Sequence, residues 1–203
     1  MEYSITIDDV FAAAGRLDGI VKRTPVVSAE EIDKVAGRQV LMKCENLQHI
    51  GAFKFRGATN AVIMLGDDAE SGVCTHSSGN HAQALSMAAK NRGVDAYIVM
   101  PRTAPKVKVL GVNNQGAEIT FCEPTLEARE ATAGDIIDRT GAALVHPYDN
   151  PNVIAGQGTA ALEFFLQAGE LDAIVSPVGG GGLISGTSIT TRAMYPELSL
   201  IHI

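Results

Sequence analysis

A lysine flanked by two phenylalanines is the residue of this sequence whose position most clearly points to chemistry. Lys54 lies between Phe53 and Phe55, at the predicted start of a helix that follows an apolar strand. A helix N-terminus carries partial positive charge, and this charge together with the apolar neighbours should lower the pKa of the amine. A free amine is what a lysine needs to form a Schiff base with a carbonyl group. A solvated lysine on an amphipathic helix is the competing interpretation.

A second turn, THSSGNHAQAL at residues 75–85, places small polar residues between a predicted strand and a predicted helix. Their hydroxyl, amide and backbone N–H groups lie at the positive end of the helix, which suits a carboxylate or a phenolate oxygen. An ordinary N-cap is the alternative. The last of them, a histidine, is at such a place more often a surface or packing residue. The residues concerned are Ser77, Ser78, Gly79, Asn80 and His81.

A run of four glycines forms the third turn, in VSPVGGGGLISGT at residues 175–187. Consecutive glycines let the backbone approach a ligand closely, and the following helix adds its dipole, so the turn predicts a cradle for phosphate. The pattern lacks the Gly-Lys-Ser/Thr ending of a P-loop and fits a dinucleotide fingerprint badly, so a monophosphate is the better guest. A flexible loop without a ligand is the alternative. The four residues are Gly179, Gly180, Gly181 and Gly182.

Short apolar runs alternate with longer amphipathic segments, which favours an α/β fold of parallel strands joined by crossover helices. In such sheets a ligand binds beyond the carboxyl ends of the strands, where the three turns lie. Thr6 and Ser28 should cap the first two helices, and Pro124 and Pro151 suit first turns. The predicted strands are near residues 40–44, 72–76, 95–100, 117–121, 142–146, 172–176 and 198–203, and the later helices near 53–65, 80–92, 105–114, 124–139, 151–167 and 181–195.

The composition is that of a globular protein. Of the 203 residues, 46% are hydrophobic and 19% are charged, and the net charge is −7. A negative net charge argues against nucleic acid as a partner. The longest uncharged stretch contains Pro177 and the four glycines, and the N-terminus is acidic, so neither a membrane span nor a secretory signal is predicted. Three widely spaced cysteines without a ligand pattern favour a reducing cytoplasm, and no metal site is predicted.

Together the three turns resemble the serine/threonine dehydratase and serine racemase group of the fold type II (tryptophan synthase β-like) pyridoxal-phosphate-dependent enzymes. The resemblance runs from about residue 5 to about residue 197. Its segments are ENLQ at 45–48, KFRGA at 54–58, SSGNH at 77–81, CEPTLEARE at 122–130, HPYDNPNVIAGQGT at 146–159 and the four glycines.

The resemblance implies an architecture of two three-layer domains with parallel sheets. Residues 1–66 and 151–203 would form a large cofactor-binding domain, truncated at its C-terminus, and residues 67–150 a small inserted α/β domain. It also implies pyridoxal 5′-phosphate as the cofactor and a homodimer when the chain is full length. The partner of the pyridine nitrogen, and the ligands of the divalent cation that some members bind, would lie beyond residue 203.

Roles for individual residues also follow from the resemblance. Lys54 would hold the cofactor covalently, and Phe53 would pack near its pyridine ring. Asn80 would bond the phenolic oxygen, and residues 77–81 would contact the substrate. Ser78 would face the opposite side of the substrate from the lysine. The phosphate would be wrapped by Gly179, Gly180, Gly181, Gly182 and Leu183.

Arg129, within EARE, matches a position linked to substrate carboxylate binding in serine racemases. An arginine between Glu127 and Glu130 on a solvated helix face is the alternative. Position 52 is alanine where many relatives have serine, which removes one hydroxyl from the site.

The implied function is elimination from threonine or serine, giving a 2-oxo acid and ammonia. Serine racemase and 3-hydroxyaspartate ammonia-lyase are near variants, and HPYD with Arg129 leans towards serine or hydroxyaspartate. A non-catalytic cofactor-binding fragment is an alternative of another class. A dinucleotide-dependent oxidoreductase would require nicotinamide binding, which we do not expect.

Overall fold

The computed structural model describes residues 4–203, which form an α/β fold with three separate sheets. The α-helices are α1 (Ile7–Leu17), α2 (Glu30–Ala36), α3 (Lys54–Leu65), α4 (Asn80–Arg92), α5 (Lys106–Asn113), α6 (Leu126–Thr140), α7 (Pro151–Ala168) and α8 (Gly182–Met194). The strands are β1 (Val26–Val27), β2 (Met42–Lys43), β3 (Val73–His76), β4 (Ala96–Pro101), β5 (Glu118–Cys122), β6 (Ala143–Leu144), β7 (Ala173–Ser176) and β8 (Ser199–His202). Short 3-10 turns span Glu45–Leu47, His49–Gly51 and Gly66–Ala69.

Parallel pairing dominates, as the alternation of strands and helices predicts. The largest sheet has the order β5-β4-β3-β6, and β7 pairs with β8 in a second parallel sheet. The pairing of β1 with β2 is antiparallel. Strict strand–helix alternation was therefore wrong at the N-terminal end, where the two-residue strand β1 had not been predicted.

The four-stranded sheet is covered on both faces. Along β4, side chains alternate between the two faces because successive residues of a strand point in opposite directions. Ile98 and Met100 join a core that includes Leu85 of α4, whereas Val99 packs into a cluster with Ile136 of α6. The sheet is thus the middle of three layers, and the turns at its carboxyl edge remain accessible.

Helix α7 packs against α1, α3 and α8. Glycines bring these helices into backbone contact. A Cβ atom built on Gly156 would lie 2.6 Å from the Cα of Gly57 in α3, and one on Gly186 of α8 would lie 2.5 Å from the nitrogen of Gly158. Only glycine fits at such approaches. The helix that begins at Lys54 and the helix that follows the four glycines are therefore both seated on α7.

The predicted helix caps are partly confirmed. The Asp9 carboxylate accepts hydrogen bonds from the N–H and the hydroxyl of Thr6 at 2.7 and 3.0 Å, and Pro151 lies in the first turn of α7. Ser28 was the wrong cap, because α2 starts after Ala29. Pro124 was also misplaced, because Thr125 caps α6 by accepting from the Ala128 N–H. The domain boundaries at 66/67 and 150/151 stay a prediction.

Candidate active site

Lys54 is the first residue of α3, as predicted. Its Nζ donates a hydrogen bond to the Pro147 carbonyl at 2.6 Å and lies 5.4 Å from the centroid of the Phe53 ring. Burial lowers the pKa of the amine from its ordinary 10.5 to about 8, because an ammonium ion loses hydration there. The sequence predicted this direction from the helix terminus and the apolar neighbours, and burial is the cause that the structure shows. About a tenth of the amine is therefore uncharged at pH 7, far more than for an ordinary lysine.

Residues 146–149, HPYD, lie between this lysine and the four glycines. Pro147 accepts from Lys54, while the next residue, Tyr148, contacts the glycines. A Cβ atom built on Gly182 would lie 3.0 Å from the Tyr148 carbonyl oxygen, and one on Gly180 would overlap the Tyr148 ring. The structure thus brings the lysine and the glycine turn to the same short segment.

The tetraglycine loop, residues 179–182, connects β7 to α8. Gly181 adopts φ +92°, a left-handed conformation that glycine reaches without strain, and α8 begins at Gly182. The first N–H groups of a helix have no partner within it and point outwards from its positive end. They can therefore bind an anion. Leu183, half-buried, follows in the first turn of α8.

The SSGN turn, residues 77–80, lies at the carboxyl end of β3 and leads into α4, as predicted. The Ser77 hydroxyl accepts from the Gly79 N–H at 3.4 Å. The Asn80 side-chain oxygen accepts from Lys108 of α5 at 2.8 Å, which brings a cation to this turn. Ser78 and Gly79 are half-buried. The sequence had not singled out Lys108, because the contact joins two separate helices.

His81 faces inwards rather than towards solvent. It is 2% exposed, and its Nε2 lies 3.1 Å from the Val145 carbonyl, to which a neutral ring donates. Its Nδ1 has no hydrogen-bond partner among the described residues. Burial, reinforced by the charge of Lys54, lowers the pKa of His81 to about 3. The side chain is thus an uncharged group whose nearest ionisable neighbours include the lysine.

Arg129 is half-buried on α6, and its Nε donates to the Thr125 carbonyl within the same helix at 3.1 Å. In this arrangement the guanidinium is bound to its own helix, and the structure does not bring it into contact with the lysine or the tetraglycine loop.

A buried charge network supports the start of α3. Arg56, 1% exposed, donates to both oxygens of Glu45 at 2.8 Å and to Glu163 of α7 at 3.2 Å. Lys43 donates to Glu163 as well, and to Gln167 at 2.6 Å. Burial alone would raise the pKa of Glu163, but the hydrogen bonds from Lys43 and Arg56 outweigh it and hold the pKa below its ordinary value. These contacts fix α3 to α7 two residues after Lys54.

Comparison with known proteins identifies the family. The sequence profile described as "Pyridoxal-phosphate dependent enzyme" matches residues 17–203. The chain belongs to this family. It is 48% identical over 198 residues to a serine racemase from Dictyostelium discoideum, covering 97% of this chain and 61% of that protein. It is 49% identical over 200 residues to a beta-hydroxyaspartate dehydratase from Paracoccus denitrificans (strain Pd 1222), covering 98% and 64%.

Solved structures agree with this assignment. The crystal structure of a threonine deaminase from T.th. matches with a TM-score of 0.92 and 39% identity, covering 98% of this chain and 64% of that one. The predicted family, its fold and pyridoxal phosphate as the family's cofactor are confirmed. The chain spans about three fifths of the length of the curated relatives it matches.

The residues present fit pyridoxal phosphate. The cofactor needs an amine that can be uncharged and a site for a phosphate, and Lys54 and the tetraglycine loop offer both. A cavity of about 380 Å³ adjoins Phe53 and Leu183, although Lys54 and the four glycines do not line it. Ser176, at its wall, is 3% exposed, and its hydroxyl has no partner among the described residues. A buried hydroxyl of this kind favours the presence of a further polar group.

Within residues 4–203, no helix is long and apolar enough to cross a membrane, and no three histidine, cysteine, aspartate or glutamate side chains are grouped as a metal site would require.

Proposed function

We propose that the chain is the lysine-bearing part of a pyridoxal-phosphate-dependent ammonia-lyase. Its substrates would be small β-hydroxy amino acids, namely serine, threonine or 3-hydroxyaspartate, which it would convert into a 2-oxo acid and ammonia. The observation that carries the proposal is the half-buried amine of Lys54, with its pKa lowered to about 8 and its Nζ bonded to the Pro147 carbonyl.

The lysine would act as a general base. A base with a pKa close to the working pH combines a useful free fraction with a real affinity for the proton. Lys54 would take the α-proton of the substrate, and the Pro147 carbonyl would orient the amine while it holds that proton. When bound, pyridoxal phosphate supplies the conjugated ring over which the negative charge at the α-carbon is spread.

The two other turns would bind and orient. The N–H groups at the start of α8 and in the tetraglycine loop would hold the phosphate, with Leu183 beside them, and Phe53 would pack near the ring. Hydroxyl and N–H groups of residues 77–81 would hold the substrate carboxylate, and Asn80 the phenolic oxygen. Lys108 would add positive charge at this turn.

Arg129 is a candidate to bind a second carboxylate on the substrate, such as the one that 3-hydroxyaspartate carries. It would have to release the Thr125 carbonyl to reach a ligand. The similarity to a beta-hydroxyaspartate dehydratase supports this substrate, and the similarity to serine racemases supports serine.

Racemisation of serine is the second candidate, because the family resemblance gives Ser78 the role of returning a proton to the other face of the substrate. Ser78→Ala should then impair D-serine formation far more than release of 2-oxo acid. Equal loss of both products would argue against this role for the hydroxyl.

The test is to load the purified chain with pyridoxal phosphate and to measure 2-oxo acid release from serine, threonine and 3-hydroxyaspartate. Borohydride reduction followed by peptide mapping should place the cofactor on Lys54, and modification at another lysine would refute the assignment. Lys54→Ala should abolish turnover, whereas Lys34→Ala, on the exposed face of α2, should not. Cofactor binding without turnover of any substrate would instead favour a non-catalytic, cofactor-binding fragment.

A homodimer located in the cytoplasm remains part of the proposal. Sedimentation equilibrium of the purified protein tests the dimer, and cell fractionation tests the location.

A further inference from the structure

The side chain of Tyr148 lies against the tetraglycine loop. The three atoms nearest to a Cβ built on Gly180 are all carbons of the Tyr148 ring, within van der Waals overlap. For Gly182 they are the carbonyl oxygen, the Cα and the Cβ of Tyr148, at 3.0, 3.1 and 3.1 Å. One residue thus packs on two positions of the loop, with its ring on the first and its backbone on the second.

A column of rings holds Tyr148 in this place. The Tyr148 ring meets His146 edge to face, with centroids 4.6 Å apart, and His146 meets His76 at 5.5 Å in the same manner. His146 is itself oriented, because its Nδ1 accepts from the Asp149 N–H at 2.9 Å. His76 is the last residue of β3, directly before the SSGN turn. The column therefore links that turn to the tetraglycine loop.

A tetraglycine loop loses more conformational freedom on ordering than any other four residues would. Gly179 and Gly180 are exposed, and the four glycines have no side chains of their own. Side-chain packing that restricts the loop must therefore come from another residue. A ring that restricts the loop before a ligand arrives moves this entropy cost from binding to folding, and affinity rises accordingly.

We propose that Tyr148 is a positioning residue for the phosphate of the cofactor: its ring, supported by His146 and His76, holds the tetraglycine loop in the conformation that receives the phosphate. The inference rests on the proposed role of this loop as the phosphate site. Because the contacts run through ring carbons, the phenolic hydroxyl is not required.

The test compares pyridoxal phosphate with pyridoxal, which has the same aldehyde and ring but no phosphate. Tyr148→Phe should bind both as the native chain does. Tyr148→Ala should weaken pyridoxal phosphate by about tenfold and leave pyridoxal unchanged, since only the phosphate uses the ordered loop. Binding is read from the absorbance of the bound cofactor. Phe121→Ala, an aromatic of similar exposure on the edge strand β5, is the matched control and should change neither affinity.

A pair of double variants tests the contact itself. Gly180→Ala should weaken pyridoxal phosphate binding, because its methyl group collides with the Tyr148 ring, and Gly180→Ala combined with Tyr148→Ala should cost clearly less than the sum of the two single changes, because the collision is then gone. Gly182→Ala meets the carbonyl oxygen, Cα and Cβ of Tyr148, which an alanine keeps, so its combination with Tyr148→Ala should be close to additive.

Additive effects in the Gly180 pair, or equal weakening of pyridoxal and pyridoxal phosphate by Tyr148→Ala, would overturn the inference and leave the proposed function intact. A native chain that binds pyridoxal phosphate no better than pyridoxal would overturn both, because the loop would then not be a phosphate site.

Discussion

The amine of Lys54 should titrate far below an ordinary lysine. Its pKa falls from 10.5 to about 8, because burial disfavours the ammonium form. At pH 7 the uncharged fraction is then about 9%, against about 0.03% for an unperturbed lysine, a ratio of about 300. Between pH 7 and pH 8 the uncharged fraction, and with it the rate of cofactor attachment, should rise about fivefold.

Trace labelling of the cofactor-free chain with acetic anhydride measures this directly. Labelling is followed from pH 6 to pH 11, and the Lys54 peptide is quantified by mass spectrometry, with the exposed Lys34 as an internal reference. The Lys54 curve should have its midpoint near 8. In Phe53→Ala, where water gains access to the amine, the midpoint should move upwards. A native midpoint at 10.5 or above would refute the argument from burial, and with it the general-base role.

Other predictions concern the supporting structure. Arg56→Met should lower the free energy of unfolding by about 3–5 kcal/mol in urea denaturation, because the partly buried Glu45 loses its cationic partner and Glu163 keeps only Lys43, and a loss below 1 kcal/mol would contradict the network. The pKa of Glu163 is held below its ordinary value, so its contribution to the free energy of unfolding should be complete at pH values above that ordinary pKa. The contribution should be lost as the pH falls through the lower pKa of the folded state. In Arg56→Met the free energy of unfolding should depend less on pH in this range. Gly57→Ala should destabilise strongly, because its Cβ would lie 2.6 Å from the Val153 carbonyl, whereas Gly134→Ala on α6 meets no atom within 4 Å and should stabilise by about 0.5–1 kcal/mol; thermal unfolding compares the two. The ring proton signals of His81 should not titrate between pH 5 and pH 8 in NMR spectra, and a midpoint near 6.5 would contradict its buried, neutral state.

The sequence predicted those elements whose ends carry strong local signals. Helix α4 is predicted at residues 80–92, between two strongly apolar strands, and is observed there, and Pro151 marks the start of α7. Strand β1 was missed because its apolar run is only two residues long, between Pro25 and Ser28, whereas the equally short β2 and β6 lie in longer apolar runs. Ser28 is a favourable N-cap residue by type, but α2 begins at Glu30, with Ala29 at the N-cap position. The residue types alone do not show this one-residue difference.

The candidate site was predicted in its chemistry but not in its contacts. Lys54, the SSGN turn and the tetraglycine loop are each visible as local patterns, whereas the roles of Pro147 and Tyr148 depend on contacts between residues far apart in the sequence. The segment HPYD indicates a family, but its sequence does not predict that the Pro147 carbonyl accepts a hydrogen bond from Lys54. The roles of the individual site residues stay predictions until the variants above are measured.

The glycine contacts of α7 fix the distance between the two helices that carry the candidate site. Helices packed through side chains lie 8–10 Å apart, and that separation changes whenever a side chain is exchanged. Where Gly57 meets Gly156 and Gly158 meets Gly186, the backbones are in direct contact. No side chain lies between them whose replacement could change the separation. The separation between the helix that carries the lysine and the helix that begins at the proposed phosphate site is therefore set by main-chain geometry. A cofactor held covalently by Lys54 at one end and through its phosphate by the tetraglycine loop at the other, as proposed, would need this separation to stay constant. Substitutions elsewhere in the chain can therefore change which substrates the pocket accepts without changing the distance between these helices.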